Sequence, residues 1–182
     1  MLLSVGAVAC TSSKSSGSAS GSSSTLAASG SKALAASGSG NPCAGFTSAP
    51  SCYVASVTFS SPAATETGTA GNTAACATAL RQAATGSKTG TAIVSIDLRS
   101  GPIPQMIVQL AKYNGPGVYA SGTGSSMAFQ YKGTTYSTGP NTGTSTAVVS
   151  SSGSMTLTVA GASTGAAGET VAGHGTLTCH NA

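Results

Sequence analysis

The chain has 182 residues, of which 5% are charged and 4% aromatic, with seven basic and three acidic side chains and a formal charge of +4. The bases are scattered from Lys14 to Lys132 without the clustering that a nucleic-acid footprint requires, so no nucleic-acid partner is expected. Low charge together with 40% apolar residues also excludes disorder driven by charge repulsion.

Residues 1–9, MLLSVGAVA, read as the end of an apolar signal-peptide core, and the small residues Ala7 and Ala9 lead into Cys10. Ser and Gly take over directly after it. This seam resembles the lipobox of bacterial lipoprotein signal peptides, where cleavage falls just before a cysteine; Ala7 stands where that family usually has Leu. The resemblance implies that the Cys10 thiol takes a diacylglyceryl group and that lipidated Cys10 becomes the mature N-terminus. Two or more acyl chains, each contributing about 0.8 kcal/mol per buried CH₂, hold a protein stably on a bilayer. The expected location is therefore the extracytoplasmic side of the cell membrane or envelope, with the membrane as a partner through the anchor. Thr11 is not the Asp that the resemblance would link to inner-membrane retention.

Residues 11–41 are rich in Ser, Gly and Ala, with Lys14 and Lys32 among them. This is a linker composition, for which about 30 residues give an end-to-end distance of roughly 30 Å. The organisation expected is a signal-peptide remnant over 1–9, lipidated Cys10 plus a disordered linker over 10–41, and a β-domain over 42–182.

Within that domain, Tyr53–Phe59 is rich in strand formers, and the Ala, Leu, Arg and Gln content of the following polar stretch admits one short helix near 73–84. Ala92, Val94, Ile96 and Leu98 alternate along one strand, and Met106, Val108 and Leu110 along the next, with Gly101–Pro102 as the turn between them. Asn114–Gly117 reads as a turn flanked by Tyr113 and Tyr119. Two further hairpins turn at Lys132–Gly133 and Ser152–Gly153, and the stretch from Glu169 to Cys179 forms the last strand. Short strands with turn signals at this spacing predict an all-β, mainly antiparallel fold, a small β-sandwich or barrel. The small core, with three Phe, five Tyr and no Trp, calls for covalent support.

Five cysteines in such a chain fit an oxidising compartment. With Cys10 lipidated, Cys43, Cys52, Cys76 and Cys179 remain, and four cysteines admit three connectivities. The favoured pairing is Cys43–Cys52, where Pro42, Gly45 and Pro50 let the chain turn back, with Cys76–Cys179. Crossed pairing of Cys43 or Cys52 with Cys179 stays open.

Chemistry is sparse. Glu66, Asp97 and Glu169 are the acids, each in a different predicted element and each read as an exposed carboxylate, whereas a glycosidase needs two flanking one bond. Asp97 and Arg99 share a strand face and can pair. His174 and His180 flank Cys179, but a disulfide-bonded cysteine is no metal ligand, so no metal site and no cofactor are expected. No G-x-S-x-G elbow or P-loop occurs, and the chain is read as not an enzyme. Tyr113 and Tyr119 form the candidate binding surface, suited to stacking on a sugar, against the plainer reading of cross-strand packing.

The lipobox-like start, the low-complexity linker and the C-terminal GTLTC together resemble the small Ser/Thr/Gly-rich surface lipoproteins of actinomycete-type bacteria, such as the mycobacterial 19-kDa antigen class. That resemblance implies surface exposure on the envelope and not an activity. The function expected is a monomeric, membrane-anchored, non-catalytic β-domain for interaction with an unidentified protein or glycan. The alternatives are an envelope spacer or coat protein and, less favoured, a cell-surface polymer hydrolase.

Overall fold

The computed structural model describes residues 41–61, 63–98, 101–139, 141–163 and 169–181. The expected signal-peptide remnant over 1–9, Cys10, the expected linker up to residue 40 and Arg99 lie outside the described residues.

Strand β1 (Ser51–Ser61) buries Tyr53, Ala55, Val57 and Phe59 and exposes Ser56, Thr58 and Ser60, the period-2 pattern of a half-buried strand. It turns tightly into β2 (Ala63–Asn72), with Ser60 opposite Ala63. Helix α1 (Cys76–Gly86) follows, two to three residues later than the sequence suggests because β2 still holds Asn72. It packs against β1 and β3 and buries Cys76, Ala79, Leu80 and Ala84. Then come β3 (Ala92–Leu98), β4 (Gln105–Leu110) and a short β5 (Gly117–Ala120), so that Gly117 opens a strand instead of completing a turn. The remaining strands are β6 (Ser126–Tyr131), β7 (Thr134–Ser137), β8 (Thr144–Val149), β9 (Met155–Ala162) and β10 (Val171–Asn181). Lys132 and Gly133 both take positive φ (48° and 78°), the type I′ geometry that matches strand twist in a two-residue hairpin loop.

All ten strands join one antiparallel sheet in the order β5-β8-β9-β10-β1-β2-β3-β4-β6-β7, curled into a half-barrel. Its two flanks meet where Ser137 bridges Ser163, with N–H···O distances of 3.0 and 3.1 Å, and where the Thr138 and Ser145 hydroxyls bond at 2.7 Å. The inner face is one hydrophobic core, including a T-shaped Phe59–Phe129 pair at 5.1 Å.

Register fixes two ends. Ser51 lies opposite both Asn72 and Asn181, so the described chain begins and finishes at one end, here called proximal. The β1–β2 turn, the β3–β4 connection, the Lys132–Gly133 turn and the start of β10 all lie at the other, distal end. Disulfides join Cys43 to Cys52 and Cys76 to Cys179, the favoured pairing, both at the proximal end. There the β8–β9 turn docks on the start of α1: Tyr53 donates its hydroxyl to the Gly153 carbonyl at 3.0 Å, and Cys179 N–H donates to Ser154 Oγ at 2.9 Å.

Candidate functional site

Tyr113 and Tyr119 do come together, stacked with ring centroids 5.4 Å apart, but each is only 7% exposed. The Tyr119 hydroxyl donates to the Gly115 carbonyl at 2.6 Å, and its oxygen lies 3.1 Å from Asn114 Oδ1. Burial, and after it Tyr119, pushes the Tyr113 phenol above its ordinary pKa. This pair therefore clamps the 114–117 loop onto the proximal core and offers no open ring face. The expectation of a binding surface there is corrected by burial.

The distal rim carries a different aromatic group. Tyr131 and Tyr136, on the β6–β7 hairpin, lie 6.2 Å apart at a tilt of 57°. Tyr131 is half-buried, and the exposed Lys132 holds its ammonium 5.1 Å from the Tyr131 ring centre, within cation–π range. Tyr136 donates to Glu169 Oε2 at 3.2 Å across 33 positions of sequence. The Tyr131 side chain, and after it the Glu169 charge, raises the Lys132 pKa, while burial and then the Glu169 hydrogen bond raise that of Tyr136. A partly open ring, a cation and a carboxylate thus converge on this corner, which can present stacking, donor and acceptor groups to a polar ligand.

The convex face of the sheet is a second candidate surface. Register aligns Thr146, Thr158, His174, Thr58 and Thr65 in one cross-strand row, and Val148, Thr156, Thr176, Ser56 and Thr67 in the next. Neighbouring strands stand about 4.8 Å apart, and Thr58 and Thr65 share a hydroxyl contact at 3.3 Å. Neither row carries a Lys, Arg, Asp or Glu. At the β5 edge the surface turns apolar, with Val118 68% and Val148 47% exposed. A shallow hollow of about 50 Å³ on β4, β6 and β7, lined by residues such as Gln105, Ile107 and Gln130, indents the same face.

The three acids are separate in the fold, with Glu66 on β2, Asp97 on β3 and Glu169 just before β10 instead of within the last strand, but Glu66 is not exposed: it is fully buried on the inner face of β2. Asp97 lies on β3 opposite Thr69, and its suggested partner Arg99 is outside the described residues. His174 and His180 sit on β10, and Cys179 between them is disulfide-bonded. No group of three or more His, Cys, Asp or Glu that could hold a metal occurs among the described residues, and no helix among them is long and apolar enough to cross a membrane. Sequence spacing does not show this rim, because Glu169 and Tyr136 are 33 positions apart and meet only through a side-chain hydrogen bond in the folded chain. No protein-family model, curated protein or solved structure matches this chain.

Proposed function

We propose that this chain is an envelope lipoprotein, held on the extracytoplasmic side of a membrane through acylated Cys10, that displays a non-catalytic β-domain for surface interaction. The observation that carries this reading is the sequence Ala7-Val8-Ala9-Cys10, followed at once by a Ser/Gly-rich stretch that leads into a domain with two disulfides. Small residues before a cysteine suit a lipoprotein peptidase, and the disulfides suit an oxidising exterior. The described chain enters the domain at the proximal end, so the Tyr131–Lys132–Tyr136–Glu169 corner lies at the end opposite the tether, where a protein or glycan partner can reach it. With the β3–β4 connection closed over it, Glu66 is fully buried and no substrate reaches it.

A second reading, an envelope spacer, is favoured by the hydroxyl-rich rows of the convex face, which carry no Lys, Arg, Asp or Glu, since such a surface stays hydrated and offers few strong contacts. Cell fractionation of the Cys10→Ala variant tests the anchor. The expected result is transfer from the membrane fraction to the soluble extracytoplasmic one. Retention of the variant in the membrane fraction would overturn the anchoring scheme.

A further inference from the structure

The β3–β4 connection contains Gly101-Pro102-Ile103-Pro104. Its two prolines fix their own φ, lack N–H groups and hold the residues before them extended. The segment is therefore a stiff strap, closed at its base by Leu98 N–H donating to the Pro104 carbonyl at 2.8 Å. Between the prolines the Ile103 side chain is fully buried, and its N–H donates to Glu66 Oε1 at 2.9 Å.

Glu66 is fully buried as well, and its Oε2 has no hydrogen-bond partner. Gly101 lies directly over it: a Cβ there would stand 2.5 Å from Oε1 and 2.8 Å from the carboxyl carbon. One backbone donor satisfies only one of the roughly four acceptor sites of an ionised carboxylate. Around it, β1 contributes Val57 directly opposite, the strap residues 101–104 contain no titratable group, and Asp97 of β3 points to the other face of the sheet. Lys132 and Glu169, also at the distal end, belong to the tyrosine corner. Arg99 adjoins the strap in sequence but lies outside the described residues.

We propose that Glu66 is a proton-controlled latch for the 101–104 strap: the neutral carboxyl keeps the strap seated, and loss of its proton releases the strap, admitting water to Oε2 and exposing Ile103. Burial raises the Glu66 pKa, partly opposed by the Ile103 hydrogen bond. The released state exposes the carboxyl and restores an ordinary carboxylate pKa. The seated state is therefore fully favoured below the ordinary value and is lost as pH rises through the raised one. One proton shifts the seated-to-released ratio by up to about tenfold per pH unit in that window. This device does not depend on the anchoring of Cys10.

Amide hydrogen exchange of the full-length chain, followed by NMR across pH, tests it. After correction for intrinsic exchange, the opening constant at the Ile103 amide is expected to rise by up to about tenfold per pH unit and then level off, while amides within β1 show no such slope. In Glu66→Gln the Ile103 opening constant is expected to be independent of pH, and in Arg99→Gln the slope is expected to persist. Direct carboxyl titration of Glu66 in the unmodified chain, which requires no variant to fold, is expected to give a pKa above the ordinary carboxylate range. A flat Ile103 profile in the unmodified chain, an equal slope in Glu66→Gln, loss of the slope in Arg99→Gln, or an ordinary Glu66 pKa would each overturn the latch.

Discussion

Removing the Cys76–Cys179 bridge should cost this domain more than removing Cys43–Cys52, because the two close loops of very different size. The sequence separations are 103 and 9 residues. In the chain-entropy model the long bridge contributes about 4.7 kcal/mol and the short one about 2.6 kcal/mol, a difference of about 2 kcal/mol. Both bridges are placed so that substitution leaves comparable local defects: Cys43, Cys52 and Cys76 are all buried, and Cys179 is partly so. The long bridge also fastens α1 to β10 where the β8–β9 turn docks, so its loss frees two elements and not one loop. Paired variants, Cys76→Ser with Cys179→Ser and Cys43→Ser with Cys52→Ser, avoid stray thiols. For a domain of this size each kcal/mol moves the melting temperature by about 2–4 °C, so differential scanning calorimetry should show losses of roughly 10–20 °C and 5–10 °C. Equal losses, or a larger loss for the short bridge, would refute the loop-size reasoning.

Three other perturbations bear on the same framework. Tyr53→Phe removes the buried hydroxyl that bonds the Gly153 carbonyl and should destabilise by about 1–3 kcal/mol in denaturant melts, as expected for an orphaned buried acceptor. Gly153→Ala should destabilise at least as much, because φ there is +89° and a Cβ would stand 2.6 Å from the Ala77 backbone nitrogen; circular-dichroism melts would show it, and unchanged stability would contradict the docking of this turn on α1. The raised Glu66 pKa makes the folded state bind its proton more tightly than the unfolded chain. Its stabilising share is thus present below the unfolded carboxylate pKa and lost as pH rises through the folded one. Melting temperature should fall over that interval and fall less in Glu66→Gln.

The hairpins were legible wherever large apolar residues alternate. Val94, Ile96 and Leu98 against Met106, Val108 and Leu110 marked β3 and β4, and Lys132–Gly133 marked its own turn. Strand β2 was not legible as a strand, because its inner face consists of Ala64, Glu66, Gly68 and Ala70, which carry little hydrophobic signal. A cue was nevertheless present: Thr65, Thr67 and Thr69 form a clean outer face, and that alternation puts Glu66 inside. The tyrosines show the opposite failure. Tyr113 and Tyr119 flank a turn in the sequence, yet burial and hydroxyl bonding make them a clamp. The Tyr131–Tyr136–Glu169 corner depends on bringing β7 beside the start of β10, a contact between distant segments that local spacing does not encode.

Display of this domain from a lipidated Cys10 is open to intact-mass spectrometry of protein extracted from the membrane. The expected species is a mature chain beginning at Cys10 and carrying the added mass of a diacylglyceryl group or more. A chain that retains residues 1–9, or one that begins at Cys10 with a free thiol, would contradict it.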